Sequence, residues 1–408
     1  MSHALGIAWD MWSVGKVAAV LLVTFILSQL LLSWLHAVRA KRIDRKVAQL
    51  CEQSPKHECQ SNPPESLPVT LITGFLGSGK TCLVNRILAG DHGQRILVIE
   101  NELGAISIDH ELIDEQAQKN APSGVIVLKN GCMCCTGESP GSELERVLDK
   151  LLDFSQGDSA SLVFDRIVIE TTGMADPSPI IQVLLRSEMN GARFRLDGVV
   201  TVVDAKNLMR HISPQGPAGF LRHRPEAEKQ IAMADLLLIN KVDLVDSAAM
   251  VALTCALGQL NAAAKQLRAS HAAVPWKYVF EPELDAVGLA QRRQAALSSD
   301  GAAHGPRVSC VTLTAADDVP LDALQAWLQR LVQERHEDLY RIKGSLAIAG
   351  EARKFVVHGI HADIQGTLGG EWGGEPRSSV LVLIGHKLPA ERLEKEFARL
   401  SGSGRSND

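Results

Sequence analysis

Short apolar, β-branched runs alternate with segments of helical periodicity through the middle of the chain. Val69 to Thr73 is the first such run, and Leu83, Val84, Ile87 and Leu88 recur behind it on one helical face. Arg95 to Glu100, Val125 to Leu128, Asp165 to Glu170, Leu196 to Val203 and Asp235 to Ile239 repeat the strand pattern. Uninterrupted apolar runs of this length suit strands covered on both faces. Glu143 to Phe154, with Leu144, Val147, Leu148, Leu151 and Leu152 on one side, supplies a covering amphipathic helix. The alternation predicts an α/β fold, a mostly parallel sheet with helices on both faces and the ligand at the carboxyl ends of the strands.

The pattern changes toward the C-terminus. Helical spacing at Asp246 to Leu260 and Glu283 to Ser298 leads to a strand at Val308 to Thr314 and a helix at Pro320 to Gln333. Three short strands follow, at Leu339 to Ala347, Lys354 to His358 and Ser379 to Gly385, before a closing helix at Pro389 to Leu400. This order predicts a small α+β domain, an antiparallel sheet with its helices on one face. The expected division is residues 67–265 for the first domain, 266–303 for a connector and 304–402 for the second.

Residues 1–46 read as a membrane anchor. Val17 to Val38 contains no Asp, Glu, Lys or Arg, and about 20 such residues in a helix cross a bilayer core. Trp12 and Trp34 sit near its ends as interface anchors. Arg39, Lys41, Arg42, Arg45 and Lys46 follow it, against Lys16 before it, which puts the body of the chain on the cytoplasmic side. Residues 47–66, with Ser54-Pro55 and Asn62-Pro63-Pro64, read as a linker whose Cys51, His57 and Cys59 could bind metal or carry a lipid but on such a segment are more often incidental.

Composition adds two constraints. A net charge of -5 over 408 residues gives no reason to propose a nucleic-acid partner. Eight cysteines in so long a chain, clustered as they are, point to metal or redox chemistry rather than a disulfide framework.

The chemistry starts at Gly74-x-x-x-x-Gly79-Lys80-Thr81, which joins the first strand to the first helix. That is the order of a phosphate-binding P-loop. Gly74, Gly77, Ser78, Gly79, Lys80 and Thr81 form the expected cradle for a nucleoside triphosphate. Lys80 is expected to reach the β- and γ-phosphates, and the Thr81 hydroxyl to bind Mg²⁺. Glu102, in a polar loop after the second strand, is a candidate for the metal or its water shell. Glu170-Thr171-Thr172-Gly173 has the acid and glycine of a γ-phosphate sensor, with Glu170 in place of the commoner Asp. Asn240-Lys241-Val242-Asp243 follows a strand and reads guanine, because its carboxylate accepts two N–H groups that adenine lacks. Lys80, Thr81, Glu170 and Glu102 are thus the expected catalytic set, and Gly173, Asn240, Lys241 and Asp243 complete the nucleotide site.

Cys132, Cys134 and Cys135 place three thiols within four residues after a strand. Thiolates are soft ligands suited to Zn²⁺ or Cu(I), and a tight loop lets them converge on one ion. The local sequence supplies no fourth ligand, which suggests an open or transferable site. A redox pair is the alternative.

With the P-loop, N-E-L-G, G-C-M-C-C-T, E-T-T-G-M-A-D-P, V-V-T-V-V-D-A-K and N-K-V-D in this order, the chain resembles the CobW-like metallochaperone GTPases. The resemblance runs from about Leu67 onward, and D-L-Y-R-I-K-G and E-P-R-S-S look like that family's second domain. It implies a P-loop NTPase that hydrolyses GTP, holds zinc on Cys132, Cys134 and Cys135, and passes the ion to a zinc-requiring client. Delivery of cobalt or another metal to a cofactor pathway, or a membrane-bound regulatory GTPase with redox-sensing cysteines, are the other readings. Cys82 and Ala105 depart from the family's usual Thr and acid, and a His-rich loop between the domains is missing, with only His304 nearby.

Overall fold

The alternating apolar runs assemble into a single parallel sheet in a computed structural model of the chain. The structure describes residues 66–101, 124–128, 144–145, 148, 164–189, 194–212, 225–280, 308–373 and 376–401. Seven strands, β1 Leu67–Thr73, β2 Ile96–Asn101, β3 Gly124–Leu128, β4 Arg166–Glu170, β5 Phe194–Asp204, β6 Leu236–Asn240 and β7 Lys265–Arg268, lie in the order β3-β2-β4-β1-β5-β6-β7. Every pairing among them is parallel.

Strand geometry turns successive side chains to opposite faces, and the apolar runs load both. Val69 and Leu71 of β1 join Leu97, Ile99, Ile167 and Ile169 under helix α2 Ser178–Met189. Ile72 joins Val98, Val168, Val200 and Val202 under helix α1 Lys80–Ala89. Leu144 and Leu148, from the expected amphipathic helix, are buried in the first of these clusters. Helices therefore cover both faces, as expected.

One boundary differs from expectation. The sheet does not stop at residue 265: β7, with the polar sequence Lys-Gln-Leu-Arg, adds a seventh strand beside β6. The first domain thus runs into the stretch expected to be connector. Its four residues show no apolar run because β7 is an edge strand. Beyond it, Trp276 and Phe280 pack onto the same core.

The C-terminal domain has five antiparallel strands in the order β11-β10-β9-β12-β8. They are β8 Val308–Ala315, β9 Leu339–Leu346, β10 Arg353–Ile360, β11 Asp363–Glu371 and β12 Ser379–His386. β11 was not expected. Its Gly366, Gly369 and Gly370 and its exposed position hide it from apolar patterning. The helices Leu321–Arg335 and Ala390–Leu400 cover one face, around Trp327, Phe397, Leu381 and Leu383. The other face is taken by the first domain. Val308, Val382 and Ile384 share a core with Met250, Leu253 and Leu257 of the helix Ser247–Leu260.

Among the described residues no helix is long and apolar enough to cross a membrane. The expected span at 17–38, the linker, and the helix expected at 283–298 lie outside the described residues.

Candidate functional site

The loop between β1 and α1 is built by glycine where no side chain fits. Gly74 and Gly79 hold φ of 143° and 106°. A Cβ on Gly74 would sit 2.2 Å from the Val202 carbonyl oxygen, and one on Gly79 would sit 2.4 Å from Asn240 Nδ2. Gly79 caps α1 without a side chain, and the first turn carries no acid. The first amides of the helix are therefore offered to an anion. Lys80 is buried, and its Nζ donates to the Gly74 carbonyl at 2.9 Å. The loop, the lysine and the helix dipole together make a phosphate cradle.

Thr81, next in α1, donates its hydroxyl to Glu170 Oε1 at 3.2 Å. Glu170 ends β4 and is only 8% exposed. The register of β2 on β4 places Glu100 directly beside Glu170, and Glu100 is 4% exposed. One hydroxyl and two buried carboxylates are the oxygen donors that a hard divalent cation such as Mg²⁺ takes, so the residues present fit that ion. Glu100 was missed from sequence. The signal was the repeat itself: R-I-L-V-I-E and R-I-V-I-E end on the same residue type.

A second cluster lies where β6 ends. Asn240 donates from Nδ2 to the Ser78 carbonyl at 2.9 Å and accepts the Ala272 N–H at 2.8 Å. It pins the phosphate loop to residues 269–272. Lys241 Nζ donates to the Gly77 carbonyl and to Asp204 Oδ2, the latter at 2.8 Å. Burial raises the Asp204 carboxyl, but the bonds from Lys241 and Asn207 outweigh it and hold the group below its usual range. Asp243 accepts the Ser270 hydroxyl at 2.5 Å, and that bond keeps its carboxyl low as well.

Residues 270–272 were not expected in the site. His271 and Ala272 both adopt left-handed φ, 50° and 56°, which costs a non-glycine residue on the order of 1 kcal/mol or more. Such strain persists where neighbours impose it. Here Asn240 holds the Ala272 amide, and the Cys82 thiol donates to the His271 carbonyl at 3.3 Å. Ser, His and Ala carry no motif, and the preceding strand β7 was itself hidden, so nothing in the sequence marked this loop.

Gly173 lies against the phosphate loop, where an added Cβ would come within 2.7 Å of the Leu76 side chain. The structure thus brings together Gly74, Gly77, Ser78, Gly79, Lys80, Thr81, Glu170, Gly173, Asn240, Lys241 and Asp243 at one edge of the sheet. Glu102 and Cys132, Cys134 and Cys135 lie outside the described residues. β3 ends at Leu128, beside Asn101 on the same edge, four residues before Cys132. Among the described residues there is no group of three His, Cys, Asp or Glu side chains able to hold a metal.

His358 and His361 lie in and just after β10 of the C-terminal domain. His361 packs edge-on to the Tyr340 ring, 5.9 Å between centroids. His358 pairs in register with Lys343 across β9 and β10.

Comparison with known proteins agrees with this geometry. Residues 68–268 match the CobW/HypB/UreG nucleotide-binding domain, and residues 308–401 match the cobalamin synthesis protein cobW C-terminal domain. The chain is 34% identical over 339 residues to the zinc chaperone YjiA of Escherichia coli, covering 82% of this chain and 98% of that protein. It is 25% identical over 392 residues to the zinc-regulated GTPase metalloprotein activator 1 of Saccharomyces cerevisiae, covering 88% of each. The crystal structure of Zn(II)-bound YjiA GTPase from E. coli superimposes with a TM-score of 0.58 at 29% identity, covering 82% of this chain and 99% of that one.

Proposed function

The chain belongs to the CobW/HypB/UreG family of P-loop GTPases, and on that premise we propose that it uses GTP hydrolysis to pass Zn²⁺ from Cys132, Cys134 and Cys135 to a client protein. The observation that carries this reading is the shared sheet edge. β1 and β4 deliver Lys80, Thr81 and Glu170 there, and β3 ends on the same edge just before the three thiols. A change at the γ-phosphate therefore falls on the same side of the sheet as the end of β3, four residues before Cys132 in the sequence.

The α1 amides and Lys80 bind the phosphates, and Asp243 with the 270–272 loop selects guanine. Thr81, Glu170 and Glu100 would hold Mg²⁺, which on binding neutralises charge that develops on the phosphate oxygens. The Gly173 turn senses the γ-phosphate, and its change on hydrolysis weakens the thiolate site so that the ion leaves. Glu102, two residues past Glu100 in the sequence, would be a further candidate for the metal or its water shell. The apolar run at 17–38 and the basic residues after it support a single-pass tether with the GTPase body on the cytoplasmic side.

The test is titration of the reduced protein with Zn²⁺ and Co²⁺, with and without a non-hydrolysable GTP analogue. The expected result is one tightly held Zn²⁺ per chain whose affinity shifts with the nucleotide, and its loss in Cys134→Ser with GTP binding kept. Stoichiometric Zn²⁺ in that variant, or no shift with nucleotide, overturns the reading. Tighter coupling to Co²⁺ favours cofactor metal insertion, and GTPase activity that answers only to oxidant favours a redox switch. Deleting residues 1–46 is expected to release the protein from membranes on fractionation.

A further inference from the structure

Gln230, on the helix Pro225–Ala232, is completely removed from solvent and yet is not core filler. Its amide nitrogen donates to the Ala175 carbonyl at 3.0 Å and to the Gly173 carbonyl at 3.3 Å. Both belong to the turn that follows Glu170. Its own backbone carbonyl accepts the Thr201 hydroxyl at 2.7 Å, which fastens the residue to β5. Among the described residues the side-chain oxygen Oε1 is buried with no hydrogen-bond partner.

That last detail matters. The unpaired oxygen costs about 1–3 kcal/mol, which offsets much of what the two donated bonds contribute, so stability alone puts an apolar side chain of the same length at only a small disadvantage. What such a residue cannot do is grip two carbonyls of a turn. Fixing those carbonyls fixes two peptide planes between Gly173 and Asp176.

The turn is held from three sides. Leu76 of the phosphate loop packs on Gly173. Lys229, next to Gln230, pairs with Asp176 at 2.7 Å, and Asp176 in turn accepts the Ser178 N–H at 2.9 Å at the start of α2. The Lys229 ammonium also lies 5.9 Å from the Tyr340 ring of the C-terminal domain.

We infer that Gln230 is a positioning residue for GTP hydrolysis, holding the Gly173–Asp176 turn in the conformation that reads the γ-phosphate. The inference rests on the GTPase assignment of the P-loop but is separable from it. Gln230 acts on the turn and not on the nucleotide, so its loss should affect the triphosphate state and spare the diphosphate state.

The experiment compares the full chain with Gln230→Met, which keeps the length and loses both donors, and with Gln230→Glu, which sets a carboxylate against the two carbonyls. Steady-state GTP hydrolysis, affinity for fluorescent GDP and for a non-hydrolysable GTP analogue, and melting temperature are read for each. The expected result for Gln230→Met is a fall in kcat of about tenfold or more, weaker binding of the GTP analogue, GDP affinity within about twofold and a melting temperature lowered by no more than about 5 °C. A residue with a merely structural role would lower melting temperature and both affinities together. That pattern, or wild-type kcat in both variants, overturns the inference. A wild-type chain without hydrolysis would sink the GTPase assignment and this inference together, whereas an active wild type with unchanged variants sinks the inference alone.

Discussion

Asp235 and Arg341 form an ion pair across the junction of the two domains, with side chains only 4% and 6% exposed. Lys343 donates to the same carboxylate oxygen, and the other oxygen accepts the Val199 N–H at 2.9 Å. Burial alone would raise the Asp235 carboxyl, but the charges of Arg341 and Lys343 prevail and hold it far below the usual carboxylate range. The pair lies at the start of β6, whereas the nucleotide residues cluster where that strand ends.

Arg341→Ala is expected to destabilise the protein by roughly 1–3 kcal/mol, because it takes one of two cations from a buried carboxylate that keeps Lys343 and removes a donor from the Met233 carbonyl. Urea denaturation checks this. Because the folded carboxyl titrates below the unfolded one, the pair's contribution is present above about pH 4 and fades as pH falls further. A variant as stable as wild type would show that Lys343 and the Val199 amide suffice for the buried carboxylate.

His358 gives a loss of stability in the same direction at milder pH. Burial and the neighbouring Lys343 ammonium, with a smaller push from Arg341 and against the pull of Asp235, lower its imidazole to about 4. The unfolded chain takes up a proton below about pH 6.5 that the folded chain resists down to about 4. Stability is therefore unaffected by this group above about pH 6.5 and falls as pH drops toward 4. Between pH 7.5 and 5 the loss is about 2 kcal/mol at most. His358→Gln is expected to flatten that part of the pH profile in denaturation curves, and an unchanged slope would assign it to other groups.

Asp243 tests the choice of base. Asp243→Asn replaces an acceptor for the two guanine N–H groups by an amide that donates to the 2-oxo group of xanthine. GTP affinity is expected to fall roughly 100-fold or more while XTP gains. Competition against fluorescent GDP reads both. Loss of affinity for all nucleotides alike would mean that Asp243 serves the loop rather than the base.

Cys82 bears on the same loop from the other side. Cys82→Ala removes the donor to the His271 carbonyl and is expected to weaken GTP binding by about twofold to tenfold, the value of one neutral hydrogen bond. Cys82→Ser keeps a donor and is expected to restore affinity. If serine is as weak as alanine, the thiol acts by packing and not by donating.

Legibility in the sequence followed locality. Lys80 and Thr81 are recognisable because a P-loop is a continuous stretch in which glycine spacing sets the backbone. Asn240 to Asp243 and Glu170 to Gly173 are likewise short runs at strand ends. Glu100 carries the same chemistry as Glu170, but its part in the site depends on the register of β2 against β4. Gln230 sits 57 residues in sequence from Gly173, and nothing in its own surroundings distinguishes it from any other helical glutamine. Polar β7 and glycine-rich β11 escaped because edge strands need not bury a face.

By itself the sequence determined the parallel α/β core, the phosphate and guanine motifs, and the three clustered thiols, because period, glycine placement and ligand type are written in consecutive residues. Tertiary structure alone decided that Glu100 stands beside Glu170, that Asn240 ties the phosphate loop to Ala272, and that Gln230 grips the Gly173–Asp176 turn. Those are contacts between distant segments, set by strand order and register, and no window of neighbouring residues contains them.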